Sequence, residues 1–123
     1  MTEPNFIILY VADPAASARF YATLLGKTAL EVSPTFALFA LESGLMLGLW
    51  AKHSVQPAPL TAGGSSEIAF SVSRLEIVDR LFTDWSKQGL RIAQGPTAMD
   101  FGHTFVGLDP DGHRLRVFAP AVA

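Results

Sequence analysis

Two arginines stand at alternate positions in the run Arg114-Leu115-Arg116-Val117-Phe118, directly after the turn-forming Asp109-Pro110-Asp111-Gly112 and His113. Side chains of a strand alternate between faces, so Arg114, Arg116 and Phe118 share one side while Leu115 and Val117 share the other. A guanidinium can grip a carboxylate through parallel N–H donors or lie over an aromatic ring. Three roles are therefore open to Arg116: holding a ligand carboxylate, pairing with a carboxylate of the chain, or reaching solvent. Glu67 is the candidate carboxylate, and it is the serious rival to a ligand, because a buried charge needs a partner in any case. Arg114, nearer the strand start, reads as solvated.

Other reactive groups are sparse. His53, His103 and His113 are scattered and fit no compact metal motif, and His103 is expected to line a cavity and hydrogen-bond a ligand. Ser65-Ser66 lies in no G-x-S-x-G elbow, and no glycine-rich phosphate loop precedes a helix. The absence of cysteine excludes disulfides, thiolate metal sites and a cysteine nucleophile. A net charge of −2 and the lack of a Lys/Arg run argue against nucleic-acid binding. No stretch approaches the roughly 18 apolar residues of a membrane span. The apolar run Phe6 to Ala12 has no basic region before it and meets Asp13 too soon for a signal peptide, so no membrane role and a cytoplasmic location are expected.

The elements that must position these groups follow one plan twice. Phe6 to Ala12 reads as a buried strand. Asp13-Pro14 reads as an N-cap and first helical residue, and Ala15 to Leu25 as a helix with Ala16, Phe20 and Leu24 on its apolar face, ended by Gly26. Strands are expected at Ala29–Ser33, Thr35–Leu41 and Leu45–Ala51, the last two joined by Glu42-Ser43-Gly44. Residues 52–64, rich in Pro, Gly and small polar groups, read as a linker. Then come a strand at Glu67–Val72, a capping box Ser73 to Glu76, and a helix with Val78, Leu81, Phe82 and Trp85 at helical spacing, stopped at Gly89. Short strands near Arg91–Ala93, Thr104–Leu108 and His113–Phe118 complete it. Trp85 continues the apolar stripe and reads as core. Asp109 and Asp111 serve the turn.

The repeat is visible in residues too. Val11 and Val72 both close a first strand, and the same offset lays Ala18-Arg19-Phe20-Tyr21 over Asp79-Arg80-Leu81-Phe82. Farther on, Gly44 to Trp50 lies over Gly112 to Phe118. The expected class is α+β: one domain, 1–123, of two βαβββ modules (about 5–51 and 65–119) forming a curved mixed sheet with the helices outside. The helix-free, concave side is the expected ligand site. By alternation and repeat it carries Phe6, Ile8, Tyr10, Met46, Gly48, Trp50, Glu67, Arg114, Arg116 and Phe118. Trp50 is either a stacking platform or a sheet-edge core residue. Phe101 and Phe105 read as partly core, one of them flanking the site. Rings and guanidinium suit a flat aromatic ligand, since offset stacks add about 0.5–1.5 kcal/mol beyond burial.

Val11-Ala12-Asp13, Phe20-Tyr21 and Asp109-Pro110-Asp111-Gly112, set in a paired βαβββ plan, resemble the vicinal oxygen chelate superfamily, which includes glyoxalase I, extradiol dioxygenases, fosfomycin-resistance enzymes and bleomycin-sequestering proteins. The resemblance implies a homodimer with modules pairing across subunits. It also implies metal ligands at four places, which here hold Phe6, Gly48, Glu67 and Arg116. Phenylalanine and glycine side chains offer no lone pair and arginine stays protonated, so no metal and no other cofactor is expected. A narrower likeness, carried by Trp50, the helix around Trp85 and Asp100-Phe101-Gly102-His103-Thr104-Phe105, is to the phenazine-resistance members, which sequester a griseoluteate-type phenazine without metal. The implied function is a binding protein, not an enzyme, that sequesters a planar aromatic antibiotic. A glyoxalase- or dioxygenase-type enzyme with a divergent metal site, or none, is the alternative.

Overall fold

A computed structural model describes residues 2–121. The chain divides between Ala62 and Gly63 into two compact units, inside the stretch expected as a linker. The start of that stretch is ordered by the first unit: Lys52–Ser54 forms a 3-10 turn and Val55 is buried.

In the first unit β1 (Phe6–Val11) leads into α1 (Pro14–Leu25), followed by β2 (Glu31–Val32), β3 (Phe36–Ala40) and β4 (Met46–Ala51). The strands form one mixed sheet in the order β1-β4-β3-β2. β1 runs parallel to β4, which requires a long crossover, and α1 with the β2–β3 hairpin supplies it. Asp13 starts the helix as read: its carboxylate accepts the N–H groups of Ala15 and Ala16 at 3.1 and 3.3 Å. Gly26, at φ 64, ends it and donates its N–H to the Ala22 carbonyl. The buried stripe differs from the expected one. It comprises Pro14, Ser17, Ala18 and Tyr21, while Ala16, Phe20 and Leu24 are half-buried. Apolar residues surround most of this helix, so periodicity alone does not single out one face. Against the stripe lies a core of Val11, Ala37, Phe39, Leu47, Leu49 and Ala51.

The second unit repeats this order with β5 (Glu67–Ser71), α2 (Leu75–Lys87), β6 (Arg91–Met99), β7 (Gly102–Leu108) and β8 (Arg114–Pro120), the sheet running β5-β8-β7-β6. Together they make an α+β chain with two four-stranded mixed sheets. Val78 and Trp85 bury one face of α2, and Trp85 meets Phe70 and Phe105 edge-on at 5.5 and 5.2 Å between centroids. The Ser73–Glu76 capping box does not form. The cap is Arg74, with no side-chain hydrogen bond, and the helix starts one residue later, which takes Glu76 out of register with Ser73. β6 is longer than expected. The expected strand near Arg91–Ala93 continues to Met99, with the pairing to β7 shifting register between Ile92 and Gln94 and again between Gln94 and Thr97.

The turn before β8 is held by Asp109, which is fully buried. Its Oδ1 accepts the N–H groups of Asp111 and His113 at 2.9 and 2.8 Å, and its carbonyl accepts from Arg91 at 3.0 Å. Gly112, at φ 87, makes the reversal. The duplication reaches the level of register. Phe6, Ile8 and Tyr10 lie opposite Met46, Gly48 and Trp50, while Glu67, Ala69 and Ser71 lie opposite Arg114, Arg116 and Phe118.

Candidate ligand site

Register decides which side chains share a face. On the helix-free face of the first sheet, Phe6, Ile8 and Tyr10 of β1 stand beside Met46, Gly48 and Trp50 of β4. Across β4, Phe36 lies opposite Trp50 and Leu38 opposite Gly48. Phe6, Ile8 and Tyr10 are each more than two-fifths exposed although apolar or aromatic. Tyr10 and Phe36 both meet Trp50 edge-on, at 6.4 and 6.5 Å. Gly48 is buried beneath this cluster: a Cβ there would stand 2.7 Å from Cζ of Phe36 and 3.3 Å from Cε1 of Phe6. Glycine at 48 is thus what lets the rings lie down on the sheet. Sequence reading missed Phe36. The alternation of β3 from the Glu42-Ser43-Gly44 turn was the signal that could have found it.

On the helix-free face of the second sheet stand Glu67 of β5, Arg114, Arg116 and Phe118 of β8, and Thr104 and Val106 of β7. Arg116 donates Nε–H and Nη2–H to the two carboxylate oxygens of Glu67, at 2.8 and 3.0 Å. This is a diagonal pair, because the residue directly opposite Glu67 is Arg114, whose Nη1 is 4.0 Å from the carboxylate. Nη1 of Arg116 donates to Oγ1 of Thr104 at 3.2 Å. The guanidinium carbon lies 5.6 Å from the ring centre of Phe101, which itself meets Phe118 edge-on at 5.9 Å. Arg114 and Arg116, with Ala93, Gln94, Met99 and Val106, line an open hollow of about 360 Å³. Phe101 is therefore the ring that flanks this face, and Phe105 is core, sealed under α2.

His103 lies off the helix-free face and lines a separate hollow of about 330 Å³ with Ser73 to Glu76 and Ala119 to Ala121. It pairs with Ala119 in the register, on the side facing α2, and its Nε2 lies 2.8 Å from Oδ1 of Asp79 on that helix. Strand parity explains the difference: one position away, Thr104 takes the helix-free side.

The Glu67 carboxyl is held below its ordinary value of 4.5, first by the hydrogen bond from Arg116, with the charges of Arg116 and Arg114 adding to it and partial burial opposing. Arg116 is correspondingly raised by its bond to Glu67. A depressed carboxyl stabilises the folded chain fully above the unfolded value and loses that contribution as pH falls through the folded one. The stability difference between wild type and Glu67→Gln should therefore be constant near neutrality and shrink below pH 4.5. Because Glu67 is partly exposed, the difference should not exceed about 1 kcal/mol. Urea midpoints at a series of pH values check this, and a difference that grows on acidification contradicts it.

The four places where the resemblance implies metal ligands do not fit a metal. Phe6, Gly48 and Arg116 supply no donor, and both oxygens of Glu67 face Arg116. Among the described residues no group of three or more His, Asp or Glu is placed to hold a metal ion. No helix among them is long and apolar enough to cross a membrane.

Comparison with known proteins agrees with this architecture. The chain is 31% identical over 117 residues to the phenazine antibiotic resistance protein EhpR of Enterobacter agglomerans, covering 93% of this chain and 89% of that protein. The solution NMR structure of ATC0852 from Agrobacterium tumefaciens is 49% identical with a TM-score of 0.89, over 99% of this chain and 100% of that one. A glyoxalase-related enzyme from Fulvimarina pelagi, 24% identical over 97% of this chain and 88% of its own, shares the fold with a TM-score of 0.83. The model of the Glyoxalase/Bleomycin resistance protein/Dioxygenase superfamily matches residues 4–117. The chain thus belongs to the glyoxalase/bleomycin resistance protein/dioxygenase superfamily.

Proposed function

We propose that this protein binds and sequesters a planar aromatic compound of the phenazine type, and so confers resistance to it, without metal chemistry. The observation that carries the proposal is the ring surface of the first unit, where Phe6, Tyr10, Phe36 and Trp50 gather over a glycine at 48. Such a surface offers stacking area to a flat ligand and no group that attacks one. Taken by itself, the helix-free face of the second unit carries a guanidinium whose remaining donors can meet polar atoms of a ligand. The likeness to a phenazine antibiotic resistance protein over most of the chain points the same way.

Titration with phenazine and phenazine-1-carboxylate, followed by tryptophan emission, tests this. Saturable quenching is expected, lost in Trp50→Ala, with the compound recovered unchanged by mass spectrometry. No quenching by either compound, or an unaltered titration in Trp50→Ala, defeats the reading. Recovery of a chemically altered compound would replace sequestration by catalysis.

A further inference from the structure

Arg116 is held more tightly than a ligand-gripping arginine requires, and its third partner is unusual. Thr104 is fully buried, at the centre of β7. Its hydroxyl donates to the Val117 carbonyl at 2.8 Å and accepts from Nη1 of Arg116 at 3.2 Å. A hydroxyl carries one proton. Once the Val117 carbonyl takes that proton, the oxygen is left with lone pairs alone, and one of them meets the guanidinium. The two bonds polarise each other in the same sense. Glu67 occupies the side formed by Nε and Nη2, and Thr104 engages Nη1. The planar group is thus fixed at all three nitrogens. Of its five N–H groups three are used, and two are left, one on each Nη, at the hollow that Arg116 helps to line.

We propose that Thr104 is the positioning residue that locks the Arg116 guanidinium against rotation, so that its two spare N–H groups select ligands carrying an acceptor oxygen on the ring edge. Glu67 alone would let the fork pivot about the carboxylate, whereas a third contact through a buried hydroxyl fixes its plane. A donor pair with a set direction discriminates by geometry, because an oxygen held in the wrong place leaves buried donors unpaired. The selectivity half of the proposal rests on the ligand reading above, and the lock itself does not.

Two sets of measurements keep these apart. In the ligand-free protein, the Arg116 Nε–H should exchange with water on the order of 10-fold more slowly than that of Arg114, whose Nη1 is 4.0 Å from the Glu67 carboxylate. Thr104→Val, which keeps shape and removes the hydroxyl, should speed the exchange and Thr104→Ser should restore it. Exchange equal to that of Arg114 in wild type overturns the lock, whether or not any variant folds. In titrations, Thr104→Val should weaken phenazine-1-carboxylate on the order of 10-fold and leave phenazine unchanged, with Thr104→Ser again restoring the difference. Equal weakening of both compounds marks Thr104 as merely structural and overturns the selectivity. If neither compound binds wild type, the ligand reading and the selectivity fall together, and slow Nε–H exchange that Thr104→Val speeds and Thr104→Ser restores still upholds the lock.

Discussion

Gly102→Ala should cost about 4 kcal/mol of stability, from backbone strain and overpacking of about 1–3 kcal/mol each. Gly102 sits at φ 144, a conformation that side-chain-bearing residues rarely adopt. It also opens β7 opposite Pro120 of β8, and a Cβ at this position would run into the Ala119 carbonyl oxygen and stand 2.9 Å from the amide nitrogen of Ala121. Those atoms are backbone and cannot swing aside as a side chain would. The same strand end is tied by the Ala121 N–H to the Phe101 carbonyl at 2.8 Å. Folded domains are stable by about 5–15 kcal/mol, so the variant should be largely unfolded in mild urea or absent from the soluble fraction. Circular dichroism against urea reads the effect, and a loss under about 1 kcal/mol would mean that the chain does not pass here as described. The consequence for the site is direct, since Phe101 is the neighbour of Gly102 and the ring beside Arg116.

Trp85→Ala should cost about 3–5 kcal/mol, the usual range for deleting a large buried ring. Trp85 is 4% exposed and wedged edge-on between Phe70 of β5 and Phe105 of β7. Its removal opens a cavity beneath the strands that carry Glu67 and Thr104 on their other face. Phe105 and Phe82, themselves 5.5 Å apart, cannot close it without leaving their rotamers. Trp85→Phe should recover more than half of the loss. Trp50→Ala, at a partly exposed position, should cost much less. Equal urea midpoints for Trp85→Ala and wild type would contradict this packing. The two tryptophans thus differ in place: Trp85 holds a sheet to its helix, and Trp50 lies half-buried among the rings of a helix-free face.

Why some of this was legible in the sequence and some was not follows from the physics of each signal. Asp13-Pro14 and Gly26 were readable because capping is local, needing only residues a turn apart. The two βαβββ units were readable because the duplication supplies each element with a second copy, and the structure repeats the pairing in both, Phe6 opposite Met46 and Glu67 opposite Arg114. Parity then put Arg116, Glu67, Trp50 and Phe6 on the helix-free faces. Where a second copy gave no help, reading failed. β6 holds register shifts that have no counterpart in two-residue β2, so the repeat gave no guide to its length beyond Ala93. Thr104, expected only as the first residue of a strand, shares the helix-free face because β7 starts two residues earlier, at Gly102. Phe36 was missed because its place opposite Trp50 follows only when alternation is counted back along β3 from the Glu42-Ser43-Gly44 turn.

The rings over Gly48 also bear on how the halves of a duplicated chain drift apart. Position 48 of one half answers to 116 of the other, and 6 answers to 67. To convert the first face into a likeness of the second, Gly48→Arg must meet the Phe36 ring and Phe6→Glu must set an acid among apolar neighbours without a counterion. The change at 48 waits on a shift of the Phe36 ring or on a smaller group there. Such interlocked substitutions make a wide fitness valley. Mutation and selection can therefore remodel the helix-free face of one half while that of the other stays as it was.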